Sequence, residues 1–342
     1  MGDHFLVESH STDRILYLDC AAMDRILDMA RVIGWIEDAF AADGRGEIET
    51  FPVISYRDKA ANGTWIIKSG ALHRAKGDDT LGLKAGSYWP VNEREHGIPN
   101  HNATMMLVDL ATGSISTILH ANHITSLRTA AAGAISSKWL GCPDPQQIAI
   151  LGAGDQANSQ LEAHLLLFRA VHKITVWSRS KERTQRFAET WNAKGISVAV
   201  CRHAREAAQG ADIIITTTPS REPILFADSV KTGAHIVAVG SDAAGKQEVD
   251  AKLVAQCAVF ADKRIQSVTI GEMQQPIAKG MVGESHILAE LGDVCAGRHL
   301  GRQSRDQVTL FDSSGVAFQD LIVARHAREE ALRQEIGQFL PR

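Results

Sequence analysis

The run Gln147-Ile148-Ala149-Ile150-Leu151-Gly152-Ala153-Gly154-Asp155-Gln156-Ala157 decides how this chain is read. Four apolar residues in a row, closed by glycine, predict a strand buried on both faces, as parallel sheets require. Leu161, Leu165 and Phe168 then recur at helical spacing, so strand, glycine turn and helix follow in order. The turn reads G-x-G-x-x-A. Gly152 permits the tight turn, Gly154 lets backbone approach a pyrophosphate, and Ala157 lets the helix pack close to the strand. Ala153, Asp155 and Gln156 complete the candidate phosphate site at the helix N-terminus, where free N–H groups and the helix dipole favour an anion.

Further strands are predicted at 173–178, 196–201, Asp212–Thr216, 235–239 and 258–261, with a charged helix from about 181 to 192. This alternation over 145–262 predicts a Rossmann-type, doubly wound parallel sheet with right-handed crossovers. An acidic residue after the second strand would bind the ribose 2′-hydroxyl of NAD. Here the chain reads Ser178-Arg179-Ser180-Lys181-Glu182-Arg183. Ser178, Arg179, Ser180 and Arg183 suit a 2′-phosphate, because a guanidinium makes charge-assisted, bidentate bonds to it. NADP(H) is therefore favoured over NAD(H), the alternative being that Lys181 and Arg183 only form the wet face of a helix start. Thr217, directly after the strand ending at Thr216, joins the cofactor-side candidates.

The flanks have a different texture. Residues 20–42 predict one amphipathic helix with Ile26, Met29, Ile33, Ile36 and Phe40 on its apolar face. From 52 to 119 short strands are punctuated by Asn62-Gly63, Gly77-Asp78-Asp79 and Thr112-Gly113, the signals of hairpins and loops. Helix returns at about 125–140, and a last amphipathic helix runs through Gln338. The expected division is a Rossmann-type unit over 126–309 and a discontinuous α+β unit made of 1–125 with 310–342, an α/β protein overall.

Composition narrows the class. The chain has 342 residues, more than one core usually organises, and its 44% hydrophobic and 22% charged residues describe an ordinary globular protein. A net charge of −4 offers no basic field for nucleic acid or an anionic membrane. No apolar run approaches the roughly 18 residues of a membrane span, and Met1-Gly2-Asp3-His4 lacks the basic and apolar regions of a secretory signal. Five scattered cysteines without a CxxC pair argue for reduced thiols in a cytoplasm. His120 and His123 form an H-x-x-H pair without a third ligand, so no metal is expected.

Four segments around the nucleotide turn carry a resemblance: Gly82-Leu83-Lys84 with Pro90-Val91-Asn92; Leu127-Arg128-Thr129-Ala130-Ala131; Gly240-Ser241-Asp242 through Gly245-Lys246 and Glu248; and Phe311-Asp312-Ser313-Ser314-Gly315-Val316-Ala317 ending in Asp320. Along nearly its whole length the chain resembles the ornithine cyclodeaminase/μ-crystallin family of NAD(P)-dependent enzymes. The resemblance implies a homodimer, with the flanks as substrate-binding and dimerisation domain. It also implies a small amino or imino acid substrate handled at the α-carbon.

By the same resemblance Arg57, Lys84 and Arg128 line a carboxylate site, and Lys246 is a further substrate-side candidate. Asp242 and Lys84 are the catalytic candidates, Asp242 managing the proton on nitrogen. Ser313 and Gly315 lie near the nicotinamide. Structural alternatives stand beside these roles: an internal salt bridge for Arg128, a surface position for Lys84, a helix N-cap for Asp242 and a helix-surface cation for Lys246.

One departure bears on substrate. Cyclodeaminases of the family carry an acid on the strand before the lysine, whereas this chain reads Trp65-Ile66-Ile67-Lys68-Ser69. A cation there would repel the distal ammonium of ornithine by roughly 4 kcal/mol at about 4 Å and an effective dielectric near 20. The expectation is a ketimine or pyrroline-2-carboxylate reductase, or an L-amino-acid dehydrogenase, rather than an ornithine cyclodeaminase. A non-catalytic NADPH-binding protein of the crystallin kind is the rival of another class; the joint presence of Lys84, Arg128 and Asp242 speaks against it.

Overall fold

The computed structural model describes residues 14–73 and 79–342; Met1–His4 and the Gly77-Asp78 loop signal lie outside that range. Two eight-stranded sheets organise the chain. The first is mixed. It is built from β1 (Arg14–Leu18), β2 (Ile48–Thr50), β3 (Ile54–Asp58), β4 (Gly63–Leu72), β5 (Thr80–Tyr88), β6 (His101–Val108), β7 (Ile115–His120) and a late strand, Gln338–Pro341. β3 to β7 pair antiparallel in a meander, while β1 joins β7 in parallel. The second sheet is wholly parallel. It contains β8 (Gln147–Leu151), β9 (Lys173–Trp177), β10 (Val198–Val200), β11 (Ile213–Thr216), β12 (His235–Ala238), β13 (Ala258–Ala261), β14 (Ile287–Glu290) and β15 (Thr309–Asp312), in the order β10-β9-β8-β11-β12-β15-β13-β14.

The parallel strands read as unbroken apolar runs because helices cover both sheet faces. β8 to β10 run outward on one side and β11 returns to the other, which makes β8/β11 the switch point where such sheets bind ligands. Register aligns their carboxyl ends: Leu151 lies opposite Thr216, Thr216 opposite Ala238, Ala238 opposite Asp312, and Asp312 opposite Ala261. The residues that follow (152, 217, 239, 313 and 262) therefore leave the sheet along one edge.

The Rossmann-type sheet stands as expected, and four local expectations are corrected. The single helix over 20–42 is two, Cys20–Ile26 and Met29–Gly44, because Asp28 accepts from the Arg31 N–H at 3.0 Å and starts a second helix. The central helix begins at Asn122, not 125. The last helix ends at Gln334, where Glu335 turns left-handed (φ 55°); the chain then forms the late strand Gln338–Pro341 against β1. The division at 309/310 cuts through β15, which pairs with β12 and β13 inside the parallel sheet.

One apolar core joins the two halves, from Leu16, Met23 and Phe40 through Ile135 to Ile148, Phe311 and Phe318. The helix Asn122–Leu140 lies at its centre, and its small stretch Thr129–Gly133 is buried. Beneath the loop after β12 sits a layer of buried acids. Glu248 accepts from Thr216, Thr218 and the Gly240 N–H; Glu272 accepts from the Glu248 and Val249 N–H groups; and Asp312 accepts from Ser267 and the Glu272 N–H. Burial raises all three pKa values, that of Asp312 to about 7.

A carboxyl raised in the folded state contributes stability that is present below its unfolded value, near 3.8, and lost as pH rises through about 7. Asp312→Asn keeps an acceptor for Ser267 and removes that ionisation. Urea melts from pH 4 to pH 8 are expected to show the variant gaining stability relative to wild type across this range. Parallel curves would refute the assignment.

Candidate active site

The glycine turn leaves β8 with Gly152 at φ +132°, and a Cβ there would stand 2.2 Å from Thr217 Oγ1. Only glycine fits this approach of two strand ends. Gly154 caps the helix Asp155–Leu167 without a side-chain bond, and a Cβ on it would meet nothing within 4 Å. The turn is thus open at Gly154, where the helix starts with its first N–H groups uncapped by any side chain. Three side-chain oxygens here, Gln156 Oε1, Thr217 Oγ1 and Ser313 Oγ, are buried without a hydrogen-bond partner. Buried polar atoms are rarely left so. An open glycine turn, an uncapped helix start and three orphaned oxygens along one edge fit a nicotinamide dinucleotide. Ala153 is half-buried in the turn and Asp155 exposed in the first helical turn.

After β9 the side chains divide in role. Ser178 Oγ bonds the Ser180 carbonyl at 3.0 Å and Thr184 Oγ1 at 2.7 Å, and Ser180 caps the helix Lys181–Ala193. Both hydroxyls hold the turn itself. Arg179 is exposed with no ion pair among the described residues, while Arg183 lies 3.8 Å from Glu93.

Across the cleft, two cations meet one acid. Lys84 of β5 is 2.7 Å from the Asp320 carboxylate, and Arg128 Nε from the central helix is 3.1 Å from the same group; all three are buried. Arg128 Nη1 also donates to Gln319 Oε1 at 2.9 Å, and Lys84 to Thr125 Oγ1 at 3.3 Å. Gly315 has φ +76°, and its Cβ would stand 2.6 Å from Arg128 Nη1, so the loop after β15 passes over the guanidinium only because it is glycine. Lys68 of β4 donates to the carbonyls of Ser314 (3.2 Å) and Gly315 (2.6 Å). Asp262, after β13, accepts from Ser314 Oγ and the Gly315 N–H.

The charges perturb one another. Burial, with the Arg128 and Lys68 cations, brings Lys84 down to about 7 against the pull of Asp320. Burial and Arg128 likewise lower Lys68. Burial would raise Asp320, but Arg128 and Lys84 outweigh it and hold the carboxyl below the usual range. His101, at the start of β6, falls to about 4 through burial and the Lys84 and Arg128 charges, so its imidazole is neutral at physiological pH.

Asp242 lies in the turn beyond β12, half-exposed at 54%, with Lys246 Nζ 2.5 Å from its carboxylate. It is close enough to act electrostatically on Lys68 and His101. No helix starts at Ala243: Ala244-Gly245 form a turn, with Gly245 at φ +77°, and the chain runs on irregularly to a bridge between Val249 and Leu225. The N-cap alternative for Asp242 and the helix-surface alternative for Lys246 are therefore overturned.

Arg57 is the residue that this arrangement does not bring in. It is exposed on β3 and donates to Asn62 Oδ1 at 3.1 Å. Register sets it opposite Thr64, on the face shared with Lys68 but four residues along, about 13 Å at the usual rise. Asp320, Lys68 and His101 complete the constellation, and sequence reasoning had not named them as site residues. The signals for Asp320 were its place at the end of the Phe311–Ala317 segment that carries the resemblance and its being the single acid in Ala317–Ala324. Among the described residues no cluster of His, Cys, Asp or Glu could hold a metal ion, and His123 is paired with Asp24.

Residues 15–335 match the ornithine cyclodeaminase/mu-crystallin family, to which this chain belongs. The iminosuccinate reductase of Paracoccus denitrificans is 38% identical over 303 residues, 89% of this chain and 92% of that protein. An archaeal alanine dehydrogenase dimer with bound NAD superposes with a TM-score of 0.90 at 31% identity, covering 96% of this chain and 99% of its own. The Δ1-pyrroline-2-carboxylate reductase of Thermococcus litoralis, in complex with NADH and L-proline, gives a TM-score of 0.90 at 29% identity, with 95% and 99% covered.

The two turn glycines should separate on substitution. Gly152→Ala combines a strained φ with a clash against Thr217 and is expected to lower stability by about 1–3 kcal/mol in chemical denaturation. Gly154→Ala has room for its methyl and should leave the melt nearly unchanged. It should weaken dinucleotide binding at least about tenfold in fluorescence titration, since the methyl occupies the approach to the pyrophosphate.

Proposed function

We propose that this member of the ornithine cyclodeaminase/mu-crystallin family is an NAD(P)-dependent oxidoreductase acting on the C–N bond at the α-carbon of a small imino or amino acid. The observation that carries the reading is the buried pair Lys84 and Arg128 sharing the single carboxylate of Asp320. Two cations on one anion leave positive charge inside the protein, a costly state that an incoming carboxylate relieves. A guanidinium fixes the orientation of that carboxylate as well as its charge. The α-carbon is thereby turned toward the glycine-turn edge.

The coenzyme, when bound, supplies the hydride donor or acceptor. Gly152, Ala153, Gly154, Asp155, Gln156 and Ala157 would hold its pyrophosphate, and Thr217, Ser313 and Gly315 would border its nicotinamide end. Asp242 would accept the proton of the α-ammonium in oxidation and return it to the imine nitrogen in reduction, with Lys246 orienting its carboxylate. His101, neutral beside these groups, adds a hydrogen-bonding partner without adding charge.

Finer points belong to the same reading. Ser178-Arg179-Ser180 offers no carboxylate to a ribose 2′-hydroxyl, and exposed Arg179 is free to meet a 2′-phosphate, which supports NADP(H) over NAD(H). Val53, Ile54, Tyr56, Trp65 and Tyr88 are exposed on and beside β3 to β5, an apolar surface that supports a homodimer through the mixed sheet. All five cysteines are unpaired, which supports a reducing, cytoplasmic compartment. Retention of Lys68 in the cleft favours net redox chemistry over the loss of ammonia from ornithine. If ornithine gave proline and ammonia with only catalytic NAD present, the reductase reading would fall.

Asp242→Asn is expected to lower kcat about 10²-fold or more while dinucleotide affinity stays nearly unchanged; equal turnover would remove Asp242 from the chemistry. Lys84 binds an anion only when protonated, so kcat/KM for the imino acid should fall as pH rises through about 7. A bound carboxylate holds the proton on, so the corresponding limb in kcat should lie higher. Lys84→Arg should abolish the kcat/KM limb, and a flat wild-type profile from pH 6 to 9 would contradict the assignment. Arg179→Ala should raise KM for NADPH several-fold and leave KM for NADH alone.

A further inference from the structure

Loops usually run over a protein's surface, because buried backbone N–H and C=O groups must find partners. The loop Ser313–Gly315, between β15 and the helix Ala317–Gln334, is an exception: all three of its residues are buried. Its polar groups are matched from both sheets. Lys68 of β4 donates to the Ser314 and Gly315 carbonyls at 3.2 and 2.6 Å. Asp262, after β13, accepts from Ser314 Oγ at 2.8 Å and from the Gly315 N–H at 2.6 Å. The Ser313 N–H meets the Ala238 carbonyl of β12 at 2.9 Å. A lysine of the mixed sheet thus holds the carbonyl side of the loop, and a carboxyl group of the parallel sheet holds its N–H side. Register sets Lys68 opposite Lys84, where like charges are unfavourable. The loop carbonyls fix its ammonium there, while Asp320, Asp242 and Asp262 act on its charge.

The loop also touches both halves of the site. Its first residue, Ser313, carries one of the three orphaned oxygens on the glycine-turn edge. Its last, Gly315, lies against Arg128, where a Cβ would stand 2.6 Å from Nη1. Directly behind it, the first turn of the helix supplies Gln319 and Asp320, both bonded to Arg128, and Asp320 also meets Lys84. No side chain caps this helix start, so its first turn follows the loop that feeds it. Coupling between sites is carried by contiguous hydrogen-bonded segments and rigid elements of this kind.

We propose that Lys68 and Asp262 are positioning residues that hold the Ser313–Gly315 loop as a common wall of the dinucleotide and carboxylate sites, so that a ligand at one site strengthens binding at the other. The assignment rests on the oxidoreductase reading above and adds to it a coupling between the two sites. Whichever ligand binds first fixes the wall and bears the loss of its freedom; the second meets a wall already fixed. The wall acts through Ser313 on the dinucleotide side and through Gly315, Gln319 and Asp320 on the Arg128 side.

The test measures NADH and NADPH affinity by fluorescence titration with and without saturating L-alanine, L-proline or L-aspartate. Steady-state reduction of the matching imines is followed alongside, from Δ1-pyrroline-2-carboxylate and from pyruvate or oxaloacetate with ammonia. In wild type at least one amino acid should tighten the dinucleotide about fivefold or more, the lower end of ordinary coupling between sites. Lys68→Met should bring that factor below about twofold and lower kcat at least about tenfold, as misplacement of reacting groups does. Its affinity for the dinucleotide alone should change only a few-fold. Lys68→Arg still donates to both carbonyls and should keep most of the coupling, and Asp262→Asn, with one of its two loop acceptors gone, should lie between. A wild-type factor near one, or an unchanged factor in Lys68→Met, would overturn the proposal. So would weaker binding of each ligand alone with the factor intact, since the lysine would then serve each site separately. These outcomes leave the oxidoreductase reading standing wherever an imine is reduced. Failure of the wild type to bind either dinucleotide, or to reduce any imine of the panel, would refute that reading and this proposal with it.

Discussion

The carboxylate of Asp320, buried between Lys84 and Arg128, ties together three parts of the chain that are far apart in sequence. Lys84 comes from the mixed sheet, Arg128 from the central helix and Asp320 from the last long helix. A lone ion at this depth would be expelled or neutralised, because its lost hydration is returned only by close, well-aligned partners. The triad must therefore form as a unit, and its formation docks the last helix onto the mixed sheet. The loop before that helix, Ser313–Gly315, leaves the parallel sheet on the other side, so the same contact sets how the two sheets face one another.

Excess charge distinguishes this cluster from a structural salt bridge. A balanced buried pair is already satisfied and has little reason to attract a ligand. Here Lys84 and Arg128 share the direct contact of one acid with Lys68 nearby, and burial together with the Arg128 and Lys68 cations brings Lys84 down to about 7. Stability has been given up locally, and perturbation of this kind is concentrated where proteins bind and react. The acids beneath the loop after β12 are the complementary case: Glu248, Glu272 and Asp312 are buried and raised, and they are occupied with backbone N–H groups and hydroxyls that shape the loop carrying Asp242.

Much of the architecture was legible in the chain because it is local. Ile148-Ala149-Ile150-Leu151 before two glycines can hardly be anything but a buried strand feeding a phosphate turn, and the apolar runs after it repeat at the spacing of strand and helix. What misled was also local. Residues 20–42 carry one continuous helical stripe, and only the Asp28 cap divides it. The β15 run sits almost fifty residues after β13 in sequence yet lies between β12 and β13, a placement that periodicity cannot reveal. Arg57 was placed at the carboxylate site by resemblance alone, and its position four residues along the face from Lys68 depends on the β3/β4 register.

Sequence alone determined the parallel α/β sheet, the glycine turn at its switch point and the family to which the chain belongs, since strand period, turn chemistry and motif spacing are properties of neighbours in the chain. Tertiary structure alone decided that Lys68 opposes Lys84, that Asp320 serves two cations, that His101 is neutral among them and that Asp242 stands half-exposed beside Lys246. The reason is physical: the energy of a charge depends on its distance to every other charge and on the water around it. Those distances exist only once strand register and helix docking have brought remote segments to one cleft.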